Sequence, residues 1–202
     1  AYKSVIGKRP SIPSNLPDAV SEKVLLPPEE PIIRLNNVDV SYGELQVLKN
    51  FSWQMMPGDD VVIEGPNGCG KSTLLKSLVR MINPPPGTVN IDGTDIRNYP
   101  IEQLRSQVTL IPQDPFLFSI SIHDNITYDD PERDMPPIRD AARLAELLET
   151  IEAFPDQMDT VVGERGITLS GGQKQRSTLA RGLIREARVL AMDDCFAAVD
   201  TR

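Results

Sequence analysis

Residues 65–72 read Gly-Pro-Asn-Gly-Cys-Gly-Lys-Ser, and no other stretch of the 202 residues restricts the fold so severely. The spacing G-x-x-x-x-G-K-[ST] is that of a phosphate-binding P-loop. Its glycines let successive backbone N–H groups turn inward around an anion, and a helix N-terminus behind them adds a favourable dipole. Such a loop works only between a strand and a helix, and both flanks have the right pattern. Residues 59–65 (DDVVIEG) form a short apolar run ending in glycine, which predicts a buried parallel strand. From Lys71 to Ile82, Leu74, Leu75, Leu78, Val79 and Ile82 share one helical face. The predicted phosphate cradle comprises Gly65, Pro66, Asn67, Gly68, Cys69, Gly70, Lys71, Ser72 and Thr73. Lys71 is placed to reach the β- and γ-phosphates as a point charge, and the Ser72 hydroxyl to coordinate Mg²⁺. The expected ligand is therefore a nucleoside triphosphate, with Mg²⁺ as its counter-ion.

The rest of the chain supplies an α/β frame for that loop. Residues 32–40 alternate as a half-buried strand, and residues 47–53 are its expected partner. Strands are also expected from residue 88, over 108–113, and over 189–192. Helices are expected over 138–148, where Ile138, Ala141, Ala142, Ala145 and Leu148 are in phase, and from Ser170 to before Ala187. Strands alternating with helices imply parallel strands at the centre of the sheet. Residues 1–31 carry Pro10, Pro13, Pro17, Pro27, Pro28 and Pro31, which forbid a long helix or a central strand. They read as an extended linker (1–30) that enters a domain spanning 31–202.

A Mg²⁺-bound triphosphate needs an acidic partner at the end of a neighbouring strand. The run Val-Leu-Ala-Met ending in Asp193 provides it, about 120 residues after the P-loop. Charge excludes another class of function. The net charge is −8, so broad electrostatic attraction to nucleic acid is not expected, and any phosphate must be gripped locally. The basic residues Lys174, Arg176, Arg181 and Arg185 read as a solvated helix face. No apolar run approaches the roughly 20 residues needed to span a bilayer. Cys69 and Cys195 are too few for a disulfide framework and read as reduced thiols of a cytosolic protein; His123 reads as an exposed residue.

Residues 169–173 read Leu-Ser-Gly-Gly-Gln, and through them the chain resembles the ATP-binding domains of ABC transporters. In that family this signature faces the ATP of an opposite subunit. The resemblance implies that Ser170, Gly171, Gly172 and Gln173 complete a partner's site. It implies further that Tyr42, 23 residues before Gly65, stacks on adenine. Gln113 would touch Mg²⁺ and water, Asp193 would hold Mg²⁺ through its water shell, and Asp200 takes the D-loop position. The segment Val162-Gly-Glu-Arg-Gly166 and the run 114–126 resemble ABC exporters, with Glu164 in a coupling segment. The resemblance covers about residues 31–202. It implies a P-loop core with a mixed sheet, an antiparallel β subdomain, and an inserted helical subdomain at about 115–185. It also implies ATP and Mg²⁺ as cofactors, and as partners a second ATP-binding domain and transmembrane domains, with no nucleic acid. The location implied is the cytoplasmic side of a membrane.

Two departures qualify the likeness. Asp194 stands where the family's general base is a glutamate, so this site is expected to bind ATP well and hydrolyse it weakly. Such a site is known from exporters assembled from two different halves. The chain also ends two residues after Asp200, before the family's switch histidine, so a truncated domain with little activity of its own is expected. An importer ATPase and a non-catalytic ATP-binding regulator are the alternatives. A chromosome-maintenance ATPase is excluded, because Ser170 follows Ser72 by only 98 residues with no sustained heptads. Translation-type relatives usually carry two such domains, for which the chain has no room.

Overall fold

The computed structural model describes residues 30–163 and 166–194. The chain divides into two compact units, residues 1–100 and 101–202. The expected linker (1–30), apart from residue 30, lies outside the described residues, as do Glu164, Cys195 and Asp200.

The first unit is built on a four-stranded antiparallel sheet in the order β2-β1-β3-β4. The strands are β1 (Ile33–Tyr42), β2 (Leu45–Met55), β3 (Val89–Ile91) and β4 (Thr94–Asp95). The buried side chains of β1 are Ile33, Leu35, Val38 and Val40, so the inward parity changes from odd to even midway. A strand of period 2 can do this only with an extra residue. That residue lies in the Asn36-Asn37 step: Leu35 pairs with Trp53 and Val38 with Phe51, and Asn37 has φ +49°. The Ser52 hydroxyl fixes the bulge, accepting from the Asn37 amide at 2.8 Å and donating to Asn37 Oδ1 at 3.0 Å. β3 and β4 are joined by Asp92-Gly93, with φ +48° and +72°, as a two-residue primed turn requires.

Helix α1 (Lys71–Leu78) follows the P-loop and buries Leu74, Leu75 and Leu78. It stops short of the expected Ile82. The Met81 amide bonds back to the Lys76 carbonyl at 2.9 Å while Arg80 takes φ +51°, a helix-closing arrangement in which glycine usually occupies the left-handed position. The expected strand over 59–65 requires a second correction. These residues belong to no strand ladder among the described residues, and Val62 is 62% exposed. A central parallel strand is buried only by neighbours on both edges and both faces. The described residues do not supply those neighbours.

In the second unit, β5 (Val108–Ile111) and β6 (Val189–Met192) pair in parallel, Val108 with Val189 through Ile111 with Met192. Helices α2 (Ile101–Gln107), α3 (Ile122–Ile126), α4 (Met135–Leu144), α5 (Leu148–Glu152) and α6 (Gly171–Leu183) accompany them. Ile122, Ile126, Ile138, Ala142, Leu147, Ile151 and Ala180 belong to one buried cluster of helix-borne and linking apolar side chains. α4 begins earlier than expected because Pro136 and Pro137 fit a first helical turn, where their missing N–H groups cost nothing. It ends before Leu148, where Glu146 takes φ +54° and the Leu147 amide returns to the Ala142 carbonyl at 2.9 Å. α6 lies hard against β5: a Cβ on Gly182 would come within 2.7 Å of Ile111 Cγ1. None of the described helices is long and apolar enough to cross a membrane.

Candidate nucleotide-binding site

The phosphate cradle lies wholly in the first unit. Gly68 (φ +78°) and Gly70 (φ +103°) adopt left-handed conformations that a β-carbon would strain, and Gly70 is the residue immediately before α1. A Cβ on Gly70 would also stand 2.9 Å from Val47 Cγ1, so neither conformation nor space allows a side chain there. The Cys69 amide closes onto the Pro66 carbonyl at 3.3 Å, turning the loop. Lys71 Nζ donates to the Gly65 carbonyl at 2.7 Å and the Pro66 carbonyl at 3.3 Å. Its ammonium thus lies across the mouth of the loop. Ser72 and Thr73 are in the first turn of α1, the end of a helix that offers backbone N–H groups. Glycines, a lysine and a helix start together suit a polyphosphate.

Tyr42 ends β1 and is 52% exposed, and its hydroxyl lies 3.5 Å from Thr73 Oγ1. The sheet therefore delivers an exposed aromatic face beside the phosphate loop. The remaining predicted site residues are in the second unit. Parallel, in-register pairing puts the C-terminal ends of β5 and β6 side by side, the edge at which α/β sheets place ligands. Gln113 follows β5 and is exposed; Asp193 follows β6, is 7% exposed, and donates its amide to the Ile111 carbonyl at 3.0 Å. Asp194 is exposed with φ +46°.

The signature segment opens α6. Ser170 is the N-cap: its Oγ accepts from the Gln173 amide at 3.2 Å, while Gln173 Oε1 accepts from the Ser170 amide at 2.8 Å. This reciprocal capping box satisfies two helix-end donors at once. Gln173 is thereby engaged in holding Ser170, a task that the motif alone did not reveal. A Gln173→Ala variant should lose about 1 kcal/mol of stability. Gln173→Glu, which can accept the same bond, should stay within about 0.3 kcal/mol of wild type. Urea midpoints of the two variants give the comparison. At Gly171, by contrast, a Cβ would have nothing within 4 Å, so packing among the described residues does not demand glycine there.

Two expectations need revision. Only Lys174 among the four basic residues of this helix region is exposed. Arg176, Arg181 and Arg185 are partly buried, with Arg185 bonded to the Arg105 carbonyl at 3.3 Å and Arg181 to three carbonyl oxygens. His123 is also partly buried, its Nδ1 3.0 Å from Asp124 Oδ1; that bond and one to Ser121 hold the Asp124 carboxyl below its usual value. Sequence reasoning missed Asn125, which is 1% exposed and bonded to Arg181. A lone asparagine in the polar stretch His-Asp-Asn-Ile-Thr (123–127) gives no signal of such a partner.

A glycine cradle, a helix-start lysine and an acidic strand end define a P-loop nucleotide-binding protein. Residues 48–197 match the ABC transporter family. The chain belongs to that family. It is 40% identical over 174 residues to the ATP-dependent lipid A-core flippase of Burkholderia thailandensis, covering 84% of this chain and 29% of that one. It is 41% identical over 170 residues to multidrug resistance protein pgp-1 of Caenorhabditis elegans, with 82% and 13% covered. The structure of a bacterial Atm1-family ABC exporter with ATP bound superposes with a TM-score of 0.79 and 36% identity, over 91% of this chain and 32% of that one. The fold is accordingly that of an ABC exporter's ATP-binding part. The chain spans about a third or less of the length of these relatives.

Proposed function

We propose that this chain is the ATP-driven motor domain of an ABC exporter, acting at the cytoplasmic face of a membrane with transmembrane domains and a second ATP-binding domain. The P-loop binds ATP, with Lys71 on the β- and γ-phosphates and Ser72, Gln113 and Asp193 around Mg²⁺, while Tyr42 offers a face to the base. Magnesium neutralises developing charge on the phosphates when bound. Asp194 is the candidate general base and Gln113 the residue that responds to the γ-phosphate. The signature, Ser170 to Gln173, acts on the partner's nucleotide; Asp200 and Glu164 take the D-loop and coupling roles. The helical subdomain is assigned to about 115–185.

The carrying observation is Gly171. Glycine at a helix start costs stability relative to alanine, and packing among the described residues does not require it. Its smallness therefore serves something arriving from outside, as a partner's phosphate would. With Mg-ATP present, the intact protein's two ATP-binding domains should associate, as read by sedimentation. Gly171→Asp should abolish that association through charge repulsion and bulk, yet leave ATP binding to the chain's own P-loop unchanged. Association that ignores nucleotide, or that survives Gly171→Asp, would overturn the reading.

The short carboxylate of Asp194 favours a partnership of unequal sites, with a heterodimer as the assembly. It also favours a second reading, a regulatory module that binds ATP without turnover. Phosphate release in the presence of the partner domain separates the two.

A further inference from the structure

Strands β1 and β2 meet at a two-residue turn, Gly43-Glu44, flanked by Tyr42 and Leu45 as a directly opposed pair. Gly43 supplies the positive φ (+59°) that so tight a turn needs. Opposed residues of an antiparallel ladder project from one face, and residues two apart along a strand share it. Tyr42 and Leu45 therefore continue the face that carries Val40 and Leu48, the preceding pair on that side. Val40 and Leu48 are buried. The terminal pair is not: Tyr42 is half exposed, and Leu45 is 67% exposed, more than any other large apolar side chain among the described residues.

This face lies against the phosphate loop. A Cβ on Gly70 would stand 2.9 Å from Val47 Cγ1 and 3.0 Å from Leu48 Cδ2, and the Tyr42 hydroxyl is 3.5 Å from Thr73 Oγ1. That last distance is long for a bond between hydroxyls, so the strands rather than the bond place the Tyr42 ring. The hairpin thus carries an apolar shelf from the closed back of the cradle out past the first turn of α1, and only its outer end is uncovered. A single leucine in water is ordinary. Leu45 is different in its setting: it is paired with an exposed aromatic ring at the open end of an otherwise buried face, beside a triphosphate cradle. Such a shelf has apolar area for a base to cover.

We infer that Leu45 is a specificity-determining residue of the nucleotide site, an apolar seat for the second ring of a purine whose first ring lies on Tyr42. A pyrimidine has one ring, so it covers Tyr42 and leaves Leu45 in water. Preference for a purine then comes from apolar area and shape, without a hydrogen-bond code at the edge of the base. This rests on the ATP-binding reading above, and deepens it from a grip on the phosphates to a choice among bases.

The test is calorimetric titration of the intact protein carrying this chain with Mg-ATP, Mg-CTP and magnesium tripolyphosphate. Wild type should bind Mg-ATP about fivefold more tightly than Mg-CTP, the yield of roughly 40 Å² of extra apolar contact. Leu45→Ala should weaken Mg-ATP and bring the two nucleotides within about twofold of each other, while Leu45→Met, which keeps the apolar reach, should retain most of the preference. Tripolyphosphate has no base, and its affinity should be the same within about twofold in all three proteins. Equal losses of Mg-ATP and Mg-CTP in Leu45→Ala would overturn the proposal and leave Leu45 as a brace of the turn. A wild type that binds the two nucleotides alike would also overturn it. So would an unchanged preference in Leu45→Ala joined to a loss of self-association, which would give the exposed pair to a protein surface. If wild type binds neither tripolyphosphate nor Mg-ATP, the ATP-binding reading falls and this seat with it. If it binds both and the preference ignores Leu45, only the seat falls.

Discussion

Lys71→Ala should lower the affinity for Mg-ATP by about 100-fold, at the upper end of the roughly 1.5–3 kcal/mol carried by a hydrogen bond to a charged group. In the structure its ammonium bonds the Gly65 and Pro66 carbonyls, so binding exchanges two neutral acceptors for charged phosphate oxygens. Removing it leaves those carbonyls at an exposed loop, where water replaces the lost donor. The loss of fold stability should therefore stay below about 1 kcal/mol, and the binding loss dominates. Calorimetric titration with Mg-ATP reads the affinity, and a urea midpoint the stability. Under the proposed stacking role, Tyr42 serves as the internal control: Tyr42→Ala should weaken Mg-ATP binding in wild type and in Lys71→Ala alike. An unchanged Mg-ATP affinity in Lys71→Ala would remove the P-loop from the mechanism.

Asp194→Glu should raise phosphate release by about 100-fold when the partner domain is present. The added methylene carries the carboxylate on the order of 1 Å further toward the attacking water, and a displacement of that size is worth about 10² in rate. A second effect accompanies this. Asp194 has φ +46°, a conformation that aspartate tolerates better than glutamate, so the variant should lose up to about 1 kcal/mol of stability. That loss acts on the folding equilibrium and leaves the turnover of the folded protein unchanged. The expected variant is faster and slightly less stable. Equal turnover in the two proteins would sink the idea that a short carboxylate limits this site.

The sequence made several things plain because each depended on residues close together in the chain. The P-loop is a local conformation written in its glycines, and Gly68 and Gly70 take the left-handed angles that their residue type suggests. The strand before Asp193 and the helix after Ser170 were legible from apolar runs and caps. The short helices α3 and α5 were not, since five residues give barely more than one turn of periodicity. The end of α1 was hidden as well, because Arg80 occupies a left-handed position with no glycine to announce it.

The phosphate cradle that constrained the chain from the outset was thus determined by sequence, as was the acidic strand end and the signature's place at a helix start. Tertiary structure decided matters that depend on which segments meet. It brought the Tyr42 hydroxyl to Thr73 and left the run over 59–65 outside any ladder among the described residues, though its composition reads as a buried strand. It also turned three of four apparently solvated basic residues into partly buried ones, and gave Arg181 to Asn125. The reason is physical: a glycine's φ or a helix cap is a one-turn energy, whereas a strand's burial and an arginine's partners are set by residues tens of positions away, which periodicity does not encode.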